Sequence, residues 1–209
     1  MRSLALPLLV ACASPAPEAP PGPTTVRARL AQPTRLLVDA AASTGLITAS
    51  RNTSSGWQDG SMALAIDDGE LDAMVDATGQ LQISQLALNL APIDIPEDVF
   101  GKPAQLQDVR VTLAAPPRAT TAWTDADDAT ANATVGLDLD WSIAVDGSSS
   151  PLGEQTLSPI TAIVSLTGTG DAVDATIVLA GTGQLWSWAD LISLSQLQLA
   201  VVASTDSQL

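Results

Sequence analysis

The sequence predicts an all-β protein made of curved, antiparallel sheets. In several segments apolar residues alternate with small or polar ones, which is the pattern of half-buried strands. Turn signals such as Asp146-Gly147 recur at short intervals, and Asp-Gly is a strong hairpin signal. A third pattern, an apolar spacing of three inside otherwise alternating runs, predicts bulged strands that bend.

The alternation is clearest in three segments, which in chain order are 62–66, 137–145 and 197–201. Because successive strand side chains point to opposite faces, each segment would bury one face. The turn signals are Asp59-Gly60, Asp68-Gly69, Thr78-Gly79, Asp146-Gly147, Gly168-Thr169-Gly170 and Gly181-Thr182-Gly183. Only 34–42 and 188–194 have the pattern of short helical turns.

The segments 83–90, 106–113 and 194–201 share a different spacing. In each, one apolar residue is followed by two others and then by three apolar residues at alternate positions. Such a strand keeps a single apolar face only if a bulge absorbs the extra residue. Long curved strands with one apolar face form a sandwich or clam-like pair of sheets, which we expect, or a single flattened barrel, which is the alternative.

An internal repeat is a further prediction. The segment 62–81 resembles 162–185, and both end in Thr-Gly-Gln-Leu. Two duplicated halves, about 44–115 and 133–203, would then make up a β domain of residues 26–209.

Composition excludes several function classes. The 209 residues include 23 acidic and 8 basic side chains, one cysteine and no histidine, with a formal net charge of −15. Without histidine the common zinc sites and histidine-dependent nucleophiles are absent, and one cysteine cannot form an internal disulfide. Polyanion binding needs a clustered positive surface, so we expect no nucleic-acid partner. We also expect no cofactor.

The N-terminus carries the most specific motif. After Met1-Arg2 and an apolar run comes Leu9-Val10-Ala11-Cys12. This resembles the lipobox of bacterial lipoproteins. The resemblance implies a signal peptide at 1–11, lipidation of Cys12 and anchoring in the bacterial cell envelope, with an outer-membrane position favoured. The alternatives are an ordinary secretory signal, cleaved at Ala11-Cys12-Ala13, and a chance apolar N-terminus.

A proline-rich segment follows the cysteine. Residues 13–25 contain five prolines in thirteen positions, which favours an extended polyproline-II conformation. Together with the lipidated Cys12, residues 12–25 would form a tether that raises the β domain roughly 40 Å above the membrane.

Tryptophan-aspartate pairs are the best candidates for ligand contact. Trp57 and Asp59 have the pattern Trp-x-Asp, which recurs at Trp188 and Asp190 and at residues 123–125. Residues i and i+2 share a face of a strand, so each pair would place a flat ring beside a carboxylate, as sugar-binding surfaces do. Trp186 and Trp188 form the strongest candidate pair. The competing interpretation is that tryptophans anchor the core.

Carboxylates are abundant, but their pattern singles out no pair. A hydrolase using two of them is therefore the least favoured function. The candidates are Asp67, Asp68, Glu70, Asp72, Asp138, Asp140, Asp171 and Asp174. Residues 125–128 begin like a calcium loop but lack the glycine and distal glutamate of an EF-hand, so we interpret them as a solvated loop and expect no metal site.

Taken together, these patterns predict a non-enzymatic cell-envelope lipoprotein. We expect its membrane contact to be the N-terminal lipid and its β domain to bind an apolar or amphiphilic ligand between the sheets. The alternative is a surface module that recognises a glycan or a protein through the ligand-binding candidates Trp57, Asp59, Trp186, Trp188 and Asp190.

Overall fold

The structure, a computed structural model, describes residues 25–53, 56–187 and 190–205. Two short helices accompany thirteen strands. In chain order the elements are α1 (Val26–Arg29), β1 (Thr34–Val38), β2 (Thr44–Thr53), β3 (Gly56–Leu64), β4 (Ile66–Val75), β5 (Leu81–Leu90), β6 (Ile93–Ile95), α2 (Glu97–Phe100), β7 (Ala104–Leu113), β8 (Thr120–Trp123), β9 (Asp128–Val145), β10 (Ser148–Pro151), β11 (Gln155–Thr169), β12 (Ala172–Ser187) and β13 (Asp190–Ser204). None of the helices in these ranges is long and apolar enough to cross a bilayer.

Eight strands close into an antiparallel barrel. Their order is β1-β4-β5-β7-β9-β11-β12-β13, and β13 returns to pair with β1. The other strands lengthen this ring: β2 continues β1 along β13, β3 pairs with β2, β6 pairs with β7, and β8 and β10 pair with β9. The all-β prediction is confirmed, and the closed ring matches the barrel that was our alternative architecture.

One end of the barrel is sealed by α1. Thr25 caps this helix by accepting a hydrogen bond from the Ala28 N–H, and the side chains of Val26 and Leu30 are fully buried. The Leu30 carbonyl accepts a hydrogen bond from the Val75 N–H at the end of β4. We call this end, which also carries the turns at 76–80 and 170–171, the closed end.

We call the opposite end the open end, because part of its wall lacks backbone hydrogen bonds between strands and is closed by side chains. Here β3 and β6 approach each other without a strand ladder between them, and α2 packs on β3. A Cβ on Gly60 would lie 2.3 Å from the Val99 Cγ2, so only glycine lets α2 pack this closely. Arg51 donates to the Phe100 carbonyl at 3.0 Å and stacks over the Phe100 ring.

The predicted bulges are confirmed in all three segments. The register shifts between Gln107 and Arg110 where β7 pairs with β9, and Asp108 there has a φ of 53°. In the ladder of β4 and β5 the register shifts between residues 72 and 73, so residue 84 of β5 is the extra one. In the ladder of β13 and β2 the register shifts between residues 194 and 196 of β13. Each bulge restores the apolar face, as the spacing of three requires.

Several turn predictions were wrong. Asp59-Gly60 lies within β3, Asp68-Gly69 within β4, and Gly181-Thr182-Gly183 within β12. The glycines at 181 and 183 serve close packing, because a Cβ there would lie 2.5 Å from the Ile160 Cδ1 and 2.6 Å from the Leu157 Cδ2. Thr78-Gly79, Asp146-Gly147 and the glycine at 170 do form turns, with positive φ at 79, 146, 147 and 170.

Neither predicted helical turn forms a helix where the structure describes it. Residues 34–38 form β1 because Leu36 and Val38 alternate into the core, and 39–43 form a single turn in which the Ser43 N–H donates to the Asp39 carbonyl. Residues 188 and 189 lie outside the described ranges, and 190–194 belong to β13. The internal repeat stays a prediction, although its two Thr-Gly pairs occupy different structures, a turn at 78–79 and the middle of β12 at 182–183.

Candidate functional site

Trp57 and Asp59 lie on the outer face of β3 at the open end. Their neighbours Gln58 and Gly60 belong to the opposite face, since strand side chains alternate. Trp57 is 58% exposed and Asp59 is also exposed. An indole and a carboxylate thus stand side by side on solvent, the arrangement that their spacing of two predicts.

A row of polar residues leads from Asp59 across four neighbouring strands. In register, Asp59 on β3 is opposite Ser50 on β2, Ser50 is opposite Ser193 on β13, and Ser193 is opposite Gln184 on β12. Register partners share a face of the sheet, and three strand spacings make the row roughly 15 Å long. We call these four residues the polar row.

The backbones of Trp186 and Asp190 also lie at the open end of the barrel. Trp186 lies two residues beyond Gln184 on β12, in register with Leu191 of β13, and Asp190 is in register with Ser187. The side chains of Trp186 and Asp190 and the whole of Trp188 lie outside the described residues. The fold therefore brings β13 within two strands, and β12 within three strands, of β3, which carries Trp57 and Asp59. Their separation in the sequence did not indicate this.

A groove of about 520 Å³ borders the polar row between β11 and β12. The ladder of these two strands ends at the pair Ile160 and Gly181, beyond which they separate towards the open end. The groove is lined by hydroxyl and amide side chains, two apolar residues and a glycine: Thr156, Ser158, Thr182, Ser193, Gln184, Leu157, Pro159 and Gly183. Sequence reasoning missed it because the alternation predicts the strands of this hairpin but not the residue pair at which their ladder stops.

Two other tryptophans have structural roles. Trp141 is 6% exposed and belongs to the core. The Trp123 Nε1 donates to the Gly79 carbonyl at 2.7 Å, and the Arg27 guanidinium lies 5.7 Å from its ring. For these residues the core-anchor interpretation holds.

The apolar interior around Trp141 is nearly filled. A cavity at the centre of the open half, between Ile47 and Leu197 on one side and Leu106 and Leu139 on the other, has a volume of about 30 Å³. A single water occupies about that much volume, whereas small-molecule sites measure roughly 300 Å³ or more.

The structure gathers some of the candidate carboxylates on outer faces. Asp138 and Asp140 line a shallow groove of about 300 Å³ on β9, together with Glu154 and the basic residue Arg110. Asp138 also accepts a hydrogen bond from Thr156.

A second carboxylate group lies on β4. Arg35 pairs with Glu70 at 3.0 Å and with Asp72 at 3.5 Å, and Asn89 donates to Asp68. Asp67 and Asp171 are exposed. The two-carboxylate hydrolase stays an untested hypothesis.

Other acidic groups serve turns. Asp125 accepts backbone hydrogen bonds from Asp127 and Asp128, and Asp127 accepts one from the Val26 N–H. Among the described residues, no three carboxylates are grouped so that they could hold a metal ion. A hydrogen bond from the Thr78 hydroxyl, followed by the Gln80 N–H, lowers the pKa of Asp76 from 3.8 to about 2.

Comparison with known proteins adds no family to this geometry. No protein-family model matches the sequence, and no curated protein is significantly similar to it. Cys12, the predicted lipidation site, lies outside the described residues.

Proposed function

We propose that this protein is a non-enzymatic lipoprotein of the bacterial cell envelope that recognises a glycan on the outer face of its open end. The single observation that carries the proposal is the exposure of Trp57, a residue 58% exposed to solvent, beside the exposed residue Asp59. The polar row then continues the surface across the sheet.

The chemistry of this surface suits a sugar. A flat indole covers the apolar face of a sugar ring, and burying an exposed indole is favourable because it removes a large apolar area from water. Carboxylate, hydroxyl and amide groups in the polar row supply acceptors and donors for sugar hydroxyls. Thr48 and Ser61, joined by a hydrogen bond of 2.9 Å between their hydroxyls, extend the same face by one more register pair.

The position of α1 agrees with this arrangement. The helix begins at Val26 at the closed end, so a tether preceding it in the chain would be attached at that end. The strand β9 runs 18 residues from that end to the other, roughly 60 Å of extended chain before strand tilt is considered. In a lipid-anchored protein, Trp57 and the polar row would then face away from the membrane.

An apolar ligand between the sheets has less support. The cavity of about 30 Å³ in the open half leaves room for a water molecule but not for an acyl chain. The outer face offers the larger accessible surface, which is why we place recognition there.

A glycan array of neutral and acidic sugars, followed by fluorescence titration of each bound sugar, tests the proposal. We expect Trp57→Ala to raise the Kd at least tenfold, which corresponds to about 1.4 kcal/mol. Leu37→Ala is the matched control, because Leu37 is also an exposed apolar residue, 42% accessible, but belongs to β1 at the closed end. If no sugar binds above background, or if both variants weaken binding equally, glycan recognition at Trp57 is wrong.

The lipid anchor has its own test. We expect mass spectrometry of protein extracted from its native membrane to find a diacylglycerol group on Cys12, and Cys12→Ala to release the protein from the membrane. An unmodified Cys12 in the membrane-extracted protein would contradict the lipoprotein proposal without affecting the glycan site.

A further inference from the structure

We propose that the groove between β11 and β12 is a second subsite of the glycan site, and that it holds a neutral, linear sugar chain which continues along the polar row to Trp57. This inference rests on the proposed function. It adds the ligand's charge, its minimum length and the direction in which it lies.

The groove is fixed by the barrel itself, because each of the two strands that form its walls is paired with another strand on its far side. On one side β11 pairs with β9 as far as Leu157 opposite Leu137, and beyond. On the other side β12 pairs with β13 from Gly183 onwards. Each strand therefore stays paired on its other side, across one register shift, while the ladder between them stops at Ile160 and Gly181.

The floor of the groove separates it from the core. The Leu157 side chain is 1% exposed, and its Cδ2 lies 2.6 Å from the place where a Cβ on Gly183 would be. The leucine thus closes the gap beneath the two separated backbones. A ligand in the groove would meet the outer surface of a packed wall and would not need to open the barrel.

The lining chemistry selects an uncharged, polyhydroxylated ligand. Four hydroxyls and one carboxamide line the groove, and its described lining includes no charged side chain, although the chain carries a net charge of −15. Hydroxyls and amides both donate and accept hydrogen bonds, as sugar hydroxyls do. An anionic ligand would find no cation among these lining residues, and the acidic protein would repel it at longer range.

An extended peptide fits this groove less well than a sugar chain. Strand addition needs a regular series of edge N–H and carbonyl groups. Pro159 has no N–H, and the register of β11 shifts between Leu157 and Ile160, so this edge is interrupted. Proline and bulges at an edge are devices that prevent strand pairing.

The groove and the polar row are continuous. Ser193 and Gln184 belong to both, and Asp59 lies two strands beyond Ser193 and three beyond Gln184. A ligand that lies between β11 and β12 and also reaches β3 must cover the three strand spacings from β12 to β3, roughly 15 Å at about 4.8 Å each. This span requires an oligosaccharide, so binding should strengthen with chain length.

The test compares a two-sugar and a six-sugar form of a neutral glycan that the array identifies, titrated by fluorescence against the full chain. The variant is Thr182→Val combined with Gln184→Ala, which removes groove hydrogen bonds from exposed positions. The matched control is Thr176→Val, the same exchange at an exposed position of the same strand nearer the closed end. Neither threonine is part of the core, so we expect both proteins to fold.

We expect the groove variant to bind the six-sugar form at least tenfold more weakly and to keep its affinity for the two-sugar form. The control should bind both forms with unchanged affinity. If the groove variant binds the six-sugar form normally while Trp57→Ala does not, the second subsite is wrong and the proposed function stands. The inference is overturned if the array finds only acidic glycans. It is also overturned if the groove variant loses affinity for an extended peptide and not for the sugar chain. If no glycan binds at all, the proposed function fails first.

Discussion

The two ends of the barrel close the same strands in different ways. At the closed end the ladder returns from β13 to β1, and α1 buries Val26 and Leu30 beneath it. At the open end the ring separates between β3 and β6, where α2 fills the gap, and between β11 and β12, where the gap remains as a groove. The closed end thus combines a continuous ladder with the buried side chains of α1, whereas at the open end side chains stand where the ladder is missing.

The interiors of the two ends differ in their side chains. Near the closed end small residues, including Ala129, Ala131, Ala175 and Ala203, point inward beside larger ones such as Leu81 and Leu166. Near the open end the interior holds Trp141, Ile143, Met62 and Phe100. Because both interiors are filled, the surface proposed for recognition lies on the outer face of the open end, beside the point where the ladder of β11 and β12 stops.

The largest expected effect comes from removing the seal of the closed end. Leu30→Ala deletes a fully buried side chain, and we expect the free energy of unfolding to fall by about 2–5 kcal/mol. Leu37→Ala, at a position 42% exposed in the adjacent β1, should change it by less than about 0.5 kcal/mol. Denaturant unfolding of the two variants measures the difference. Equal, small losses would mean that α1 is dispensable for closure.

A smaller effect should follow at the open end. Gly60→Ala forces a methyl group to within 2.3 Å of Val99, whose branched side chain has little freedom to move, so we expect a loss of about 1–3 kcal/mol. Adding Val99→Ala should restore part of that loss by making room, which a double-mutant cycle detects. Strictly additive losses would show that α2 does not seal this end through Gly60.

The smallest expected effect concerns the turn between β4 and β5 at the closed end. The Thr78 hydroxyl and the Gln80 N–H hold the pKa of Asp76 at about 2, below the usual 3.8. Because the folded-state pKa is lowered, the stabilisation is complete above pH 3.8 and is lost as the pH falls towards 2.

Unfolding measurements at several pH values test this. Near pH 6 the free energy of unfolding of Asp76→Ala should be lower than that of the natural chain. The difference between the two free energies should decrease between pH 4 and 2. Asp67→Ala, which removes an exposed negative charge from β4, controls for the change in net charge. A difference in free energy of unfolding that is constant across this pH range would contradict a role for the Asp76 carboxylate in the turn.

Local spacing predicted the strands better than it predicted the turns. The spacing of three placed the bulges in β5, β7 and β13 because a bulge is the only way for such a strand to keep one apolar face. Asp-Gly was less reliable, since Gly60 meets a packing need within a strand and Asp146-Gly147 makes a real turn. A dipeptide indicates only which backbone conformations are allowed. Contacts across the sheet decide whether a glycine is needed because its φ is positive or because a side chain would not fit.

The candidate site divides in the same way. The pair Trp57 and Asp59 could be found from its spacing of two on one strand. The polar row and the groove could not, because Ser50, Ser193 and Gln184 become neighbours only through the register of β2, β13 and β12.

The sequence by itself determined the strand-rich character, the inward face of each strand and the places where strands bulge, because these follow from local alternation. Tertiary structure alone decided that β13 returns to β1, that α1 and α2 seal different ends, and that β11 separates from β12. The physical reason is that ring closure depends on the register between strands far apart in the chain, such as β1 and β13, and that the groove depends on where a ladder between two strands stops, and no single segment contains that information.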